Sequence, residues 1–374
     1  MSDETLELCA SNEDLDRAVG RALASEAVAV DTESDSFYHY REKICLVQLS
    51  FAERGVRKDV IVDPLAPGLD LVRMKPLLES PKVKVFHDVG YDLLLCKKHL
   101  QVAPRPVFDT MLGLRMLGTK SFGLGAVLKE RFQLDLDKGL QRSDWSLRPL
   151  TREQLEYAAN DTRYLLPLAE QVEKELKEMG RYGWFSEECE RLLTKEPAEP
   201  RSEDERFLQT KGIKKLKGEA LAVARALYGL REHFASEWDK PPFRVFSNET
   251  LFALAAERPP DKRTLSRMKG LSHRVVQSAG DRIVQACVAP PTFDAPARPH
   301  RSADEQRQQQ LVDERFEKLR ERRKTLAAEL KLDPEVLVSN ATLWDFAKAD
   351  APDVEAHPDF RGWRREIIGS KLVG

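Results

Sequence analysis

Short apolar runs alternate with amphipathic stretches over the first half of the chain and give way to helical periodicity beyond it. Glu26–Asp31 (EAVAVD) reads as a buried strand, Lys43–Phe51 (KICLVQLSF) as a second, and Lys58–Asp63 (KDVIVD) as a third closed by Pro64. The polar stretch Ala52–Arg57 predicts a hairpin between the last two. A helix near Leu71–Leu78, a strand at Lys82–Phe86, a helix from Asp88 to His99 and a short strand at Val107–Phe108 follow, and from Thr110 onward the pattern is helical. An antiparallel run followed by strand–helix alternation predicts an α/β domain with a mixed sheet flanked by helices.

Two Pro-rich stretches, Lys195–Pro200 (KEPAEP) and Pro290–Ser302 (PPTFDAPARPHRS), punctuate the rest. They divide the chain into an α/β domain over 1–195 and two small all-α domains over 206–290 and 303–374. The two helical segments resemble each other: Ser247–Ala255 reads SNETLFALA and Ser339–Ala347 reads SNATLWDFA. In each, Ser precedes an apolar-periodic stretch, where a helix N-cap belongs. A longer helix containing Leu-Arg-Glu precedes each, at Leu230–Glu232 and Leu319–Glu321, with spacings that differ by three residues. This pattern reads as a diverged duplication.

A length of 374 residues and 41% hydrophobic content allow two or three domains with real cores. The net charge of −2 hides an asymmetry. Residues 1–200 carry 28 Lys+Arg against 35 Asp+Glu, residues 206–290 carry 16 against 8, and residues 291–374 carry 15 against 16. A basic middle segment beside an acidic first one suggests that polyanion binding and chemistry are divided between domains. The five cysteines show no Cys-x-x-Cys and no zinc spacing. The acidic start MSDETLELCASNEDLD has no signal-peptide core, and no apolar run approaches the ~18 residues of a membrane span. A reduced, cytoplasmic protein without membrane contact is expected.

Phosphodiester hydrolysis requires in-line attack by water and stabilisation of the departing oxygen, and two divalent ions can assist both. Mg²⁺ takes hard oxygen ligands, so the candidates are carboxylates. Asp31-Thr32-Glu33 ends the first predicted strand, and residues two apart on a strand face the same way. About one Asp-x-Glu is expected by chance in such a chain. Thr151 and Gln154 form a T-x-x-Q capping box, which starts a helix carrying Tyr157 and Asp161 on one face. Asp92 lies in VFHDVGYDLLL, but spacing alone does not choose between it and Asp88, which is also placed to cap a helix. His87 reads as a satisfied strand-end histidine or a substrate contact, and Asp109 as a helix cap.

AVDTES, VFHDVGYDLLL and YAANDTRYLL, in this order, resemble the three exonuclease motifs of the tyrosine-containing branch of the DEDD superfamily. The stretch Gly123–Thr162, with Asp-Trp-x-x-Arg-Pro-Leu at Asp144–Leu150, is similar to the ribonuclease D family. The resemblance covers about residues 25–180. It implies an RNase H-like fold and 3′→5′ exoribonuclease activity with two divalent cations, Mg²⁺ or Mn²⁺. It also implies Asp31, Glu33, Asp92 and Asp161 as metal ligands, with Tyr157 on the water side, and so favours Asp92 over Asp88. Free tyrosine titrates near ~10 and is a poor base at neutral pH, so positioning of water is the expected role. The duplicated segments resemble HRDC domains, the first more closely.

The expected partner is RNA with a single-stranded 3′ end, a tRNA precursor or other structured RNA. A DNA 3′ exonuclease and a non-catalytic RNA-binding module are the rival readings. Lys211, Lys214, Lys215 and Lys217, then Lys262, Arg263, Arg267 and Lys269, are candidates for phosphate neutralisation by the first helical segment. Phe37, Tyr38 and Tyr40, just after Glu33, could stack on bases or pack beneath their loop, and Trp145 and Arg148 could contact RNA or anchor a loop.

Overall fold

The computed structural model describes residues 6–136, 139–194, 196, 199, 201–293, 302–349, 353–354 and 356–372. Most of Lys195–Pro200, residues 294–301 of the second Pro-rich stretch, and Val373 therefore lie outside the described residues. The chain divides into two compact units. Residues 1–33, 44–196 and 300–374 form the first, and residues 34–43 and 197–299 form the second.

The first unit is built on β1 (Leu6–Cys9), α1 (Asn12–Ala24), β2 (Ala27–Ser34), β3 (Ile44–Glu53), β4 (Val56–Val62), β5 (Val83–Phe86) and β6 (Val107–Asp109). The sheet order is β1-β4-β3-β2-β5-β6. Pairs β1–β4, β2–β5 and β5–β6 are parallel, and β3–β4 is antiparallel. The sheet is therefore mixed, as expected. In β3 the eight residues from Ile44 to Phe51 are all buried, which suits an inner strand covered on both faces. The β3–β4 hairpin closes through Arg54 and Gly55, both with positive φ, the twist that matches flanking strands.

β1 and α1 go beyond the sequence expectation. β1 has four residues, of which only Cys9 is buried, too short a pattern to stand out. α1 is locally specified: Ser11 caps it, and Leu15, Ala18, Val19 and Ala22 form its buried stripe.

Five further helices carry the site and its surroundings: α2 (Gly90–Leu95), α3 (Thr110–Met116), α4 (Arg152–Arg163), α5 (Leu165–Glu178) and α6 (Tyr182–Leu193). The helix expected from Asp88 starts later and passes into a π turn over Cys96–Leu100. Asp88 has φ +68°, outside helical geometry, and does not cap α2. The Asp109 carboxylate accepts the Asp88 and Val89 N–H groups just ahead of α2, as well as those of Met111 and Leu112 at the start of α3, which it caps. One buried carboxylate thus serves two chain segments, which a single-helix capping rule does not anticipate.

The second unit centres on α7 (Gly218–Glu237), α8 (Asn248–Glu257) and α9 (His273–Val288), around a core that includes Phe207, Leu227, Phe246, Leu254 and Ile283. The last segment supplies α10 (Ala303–Leu330), α11 (Asn340–Lys348) and α12 (Gly362–Ile367). Ser247 and Ser339 cap α8 and α11 by accepting the Thr250 and Thr342 N–H groups, as their sequences imply. The repeat register differs from the Leu-Arg-Glu alignment. Buried Arg231 and buried Arg323 are equivalent, each sixteen residues before its cap serine. Each donates to the carbonyl of the residue preceding that serine, Phe246 or Val338. With that pairing the three-residue discrepancy disappears.

The last segment shares a core with the α/β domain. Leu114, Val172, Leu176, Phe185 and Cys189 cluster with Val312, Phe316, Leu337, Phe346, Phe360 and Trp363. Gly118, at φ +77°, is required where α3 ends, because a Cβ there would lie 2.3 Å from the Lys331 carbonyl oxygen. Arg181 donates to the carbonyls of Met116, Leu330 and Lys331, satisfying the end of α10. Arg364 and the Trp363 indole both donate to buried Glu188, and Trp363 stacks on Trp184 with centroids 5.1 Å apart. Among the described residues no helix is long and apolar enough to cross a membrane.

Candidate active site

β2 brings Asp31 and Glu33 to one face, and α4 brings Asp161 to meet them. One carboxylate oxygen from each lies within 4.8 Å of the others. Asp92 is buried on α2 and accepts a hydrogen bond from the Thr32 hydroxyl, the residue between the two β2 acids. Tyr157 is one turn before Asp161 on α4. Both line a cleft of about 400 Å³ together with Gly123, Leu124, Gln141 and Asn160. The Thr151–Gln154 capping box starts α4 as read from the sequence, and so sets the phase of the Tyr157/Asp161 face.

Concentrated negative charge governs the site. Burial raises the Asp31 carboxyl, with Asp161 adding to the effect, and burial then repulsion from Asp31, Asp161 and Asp92 raises Glu33. Asp92 is raised by burial and by Asp31. Asp161 is pushed up to about 7 by burial. Among the described residues no Lys or Arg forms an ion pair with any of the four. Buried charge without a protein partner favours either protonation or a cation. Hard oxygen donors at this spacing suit a divalent ion, so the donor set fits the metal chemistry.

Several supporting residues went unread in the sequence. Asp59 on β4 is fully buried and accepts from Ser50 Oγ at 2.8 Å and Arg163 Nε at 2.8 Å. Ser50 Oγ also lies 2.8 Å from Thr162 Oγ1. Arg163 reaches Glu156 and Asn160 on α4 itself. Thr162 and Arg163, the two residues after Asp161, are therefore fastened to β3 and β4. A charged residue inside the apolar KDVIVD strand was the available signal, since such a position needs a buried partner.

The remaining candidates separate by exposure. Trp145 is 1% exposed, packed with Cys45, Leu46 and Ile61, so its ring offers no stacking face. Arg148 forms a fork with Asp63 and donates to the Trp145, Leu147 and Cys45 carbonyls. Both anchor their loop, Trp145 by packing and Arg148 by hydrogen bonds. His87 Nδ1 pairs with the Thr110 hydroxyl, and burial holds the imidazole down to about 4.

In the second unit Phe37 is 54% exposed, Tyr38 lies beneath the Arg244 guanidinium, and the Tyr40 hydroxyl donates to Glu232. Lys214, Lys215, Lys217, Arg263, Arg267 and Lys269 are exposed, and half-buried Lys262 pairs with Asp281 at 2.7 Å.

Comparison with known proteins matches this arrangement. Residues 7–177 match the 3'-5' exonuclease family, and residues 220–287 and 312–356 match the HRDC domain. The chain is 30% identical to ribonuclease D of Gluconacetobacter diazotrophicus over 98% of its own length and 91% of the relative's. It is 33% identical to ribonuclease D of Zymomonas mobilis, a match that spans 67% of this chain and 64% of that protein. The crystal structure of Escherichia coli RNase D superposes with a TM-score of 0.69 at 22% identity, covering 98% of this chain and 96% of the other, and shows the same fold. Sequence and fold together place the chain in the class of proteins with a 3'-5' exonuclease domain followed by HRDC domains. Similarity over 98% of the chain narrows the class: the chain belongs to the ribonuclease D family.

Proposed function

We propose that this chain removes nucleotides one at a time from RNA 3′ ends, releasing nucleoside 5′-monophosphates. In this reading Asp31, Glu33, Asp92 and Asp161 hold two divalent cations, Mg²⁺ or Mn²⁺. The observation that carries it is the convergence of half-buried Asp31, Glu33 and Asp161, with buried Asp92 held beside them by Thr32, and no basic partner among the described residues. Bound divalent cations would offset that charge, acidify water and stabilise charge developing on the phosphate oxygens.

The protein's own groups supply alignment. Thr32 holds the Asp92 carboxylate, and the Asp59–Arg163 pair with Ser50 and Thr162 sets the end of α4 from which Asp161 projects. Tyr157, a turn away in the same cleft, orients the attacking water through its hydroxyl. The exposed Phe37 offers a face to a 3′-terminal base, and the exposed lysines and arginines of the first HRDC domain neutralise phosphates upstream. The substrate is a structured RNA with a single-stranded 3′ tail, such as a tRNA precursor, processed in the cytoplasm. The E. coli protein of the same fold is described as an exoribonuclease involved in structured RNA processing.

Digestion of a 5′-labelled tRNA precursor with Mg²⁺, Mn²⁺ or EDTA tests the reading. A ladder shortening from the 3′ end is expected only with metal, and only in wild type beside an Asp31→Ala control. Equal or faster shortening of a matched DNA would replace the RNA assignment with a DNA exonuclease. Tyr157→Phe is expected to bind metal as wild type does while losing most turnover, and wild-type turnover would remove Tyr157 from the mechanism.

A further inference from the structure

The loop that leaves Glu33 and returns to the sheet at Ile44 is grouped, as residues 34–43, with the first HRDC domain. Its contacts explain why. At its neck, buried Asp35 accepts the Lys43 N–H at 2.8 Å through Oδ1, and its own carbonyl accepts the Tyr38 and His39 N–H groups. Toward its far side three donors converge on Asp239, which follows α7. His39 Nδ1 lies 2.6 Å from Asp239 Oδ2, while Oδ1 accepts the Tyr40 N–H at 3.1 Å and the Arg41 N–H at 3.4 Å. The Asp239 carboxyl is held below the usual carboxylate range, first by the His39 hydrogen bond. Asp239 has φ +46°, a left-handed conformation that Asp tolerates better than most residues. Arg244 donates from Nε to the Phe37 carbonyl at 2.8 Å and stacks on Tyr38 at 4.3 Å. Tyr40 reaches Glu232 and packs against the HRDC core.

These contacts hold the backbone of the loop and the Tyr38 and Tyr40 side chains, and the Phe37 ring remains exposed. Phe37 is four residues from Glu33, so the two are within about 14 Å of each other by chain length alone. We propose that the first HRDC domain, through Asp239 and Arg244, is a positioning element that fixes this loop and presents Phe37 to the bases of a single-stranded RNA 3′ end. The domain then serves the exonuclease by shaping its loop, in addition to any hold on phosphates. This rests on the RNA-trimming reading above.

The test uses the full chain with Asp239→Ala, Arg244→Ala, Phe37→Ala and the Phe37→Ala/Asp239→Ala double variant. Two substrates are compared with Mn²⁺: a 3′-tailed RNA, and methyl p-nitrophenyl phosphate, a small diester that carries no base for Phe37 to meet. On RNA, kcat/KM is expected to fall about 10- to 100-fold in each single variant, the scale of a misplaced substrate. Hydrolysis of the small ester should stay at wild-type level in Asp239→Ala and Arg244→Ala. The double variant should fall no further than Phe37→Ala, because both changes remove one function. Asp239→Asn keeps an acceptor for the two backbone N–H groups and should recover part of the loss. Wild-type RNA turnover in Asp239→Ala and Arg244→Ala, or fully additive losses in the double variant, would overturn the proposal. Equal loss on both substrates would also overturn it, by making the role one of general folding. Failure of the wild type itself to trim RNA would instead strike the function on which the proposal rests.

Discussion

The two HRDC domains share a serine-capped helix and a buried arginine sixteen residues before it, yet they are used in opposite ways. The first keeps its own core, carries 16 Lys+Arg against 8 Asp+Glu over residues 206–290, and spends polar groups on the loop after Glu33. The second has neutral balance and turns Trp363, Arg364 and the end of α10 inward onto α3 and α6. One fold therefore yields either a separate, basic module or an extension of the catalytic domain's core. The difference lies in a few contact residues and leaves the helical pattern intact.

Removing residues 302–374 is the most drastic way to break the comparison. It would expose the apolar surface of Leu114, Val172, Phe185 and Trp184, and the truncated chain is expected to be insoluble or to lose its cooperative melt. A soluble, fully active 1–301 fragment would show that the second domain is dispensable.

A point change in the same interface should cost less. Glu188→Ala leaves Arg364, 4% exposed, without its anion, a loss of about 3–5 kcal/mol that thermal unfolding would register as a clear fall in Tm. An unchanged Tm would place the second domain outside the cooperative unit.

The first domain should answer to charge and be indifferent in stability. Lys214, Lys215 and Lys217 changed together to Glu are expected to shift stability by no more than about 0.5 kcal/mol per site, while weakening RNA binding. Three lost phosphate contacts would reduce the slope of log affinity against log salt by about 2 for a single strand. An unaltered slope would leave the basic face without a role in RNA binding.

The smallest expected effect is a pH-dependent one, and it concerns the four acids. Burial raises all four, with repulsion from neighbouring acids added at Asp31, Glu33 and Asp92, and Asp161 is pushed up to about 7. From roughly pH 4 to 7 the folded chain then retains protons that the unfolded chain has released, so metal-free stability falls as pH rises through that window. A divalent cation stands in for those protons. The Tm gain on adding Mn²⁺ should therefore be larger at pH 8 than at pH 5, and equal gains would argue against these carboxylates as the binding site.

Much of the site was legible because it is local. The two-residue period of a strand puts Asp31 with Glu33, and a capping box at Thr151 sets the helix face shared by Tyr157 and Asp161. The mixed sheet and the two serine-capped repeats are local in the same sense. Trp145 and Arg148 were ambiguous because an aromatic or a cation has the same spelling whether it binds a base or anchors a loop. The fold packs the Trp145 ring against Cys45 and fastens Arg148 to Asp63.

The sequence by itself determined the elements, the acids and the family resemblance, since periodicity, capping and motif order are written in neighbouring residues. Only the tertiary structure decided which residues hold the acids in place, from Thr32 on Asp92 to Asp59 beneath α4. It alone paired Arg231 with Arg323, merged the second HRDC domain into the catalytic core, and tied the loop after Glu33 to Asp239 two hundred residues away. The physical reason is common to all of these. Buried polar groups must find partners wherever the fold brings them together, and no local pattern records which distant partner that will be.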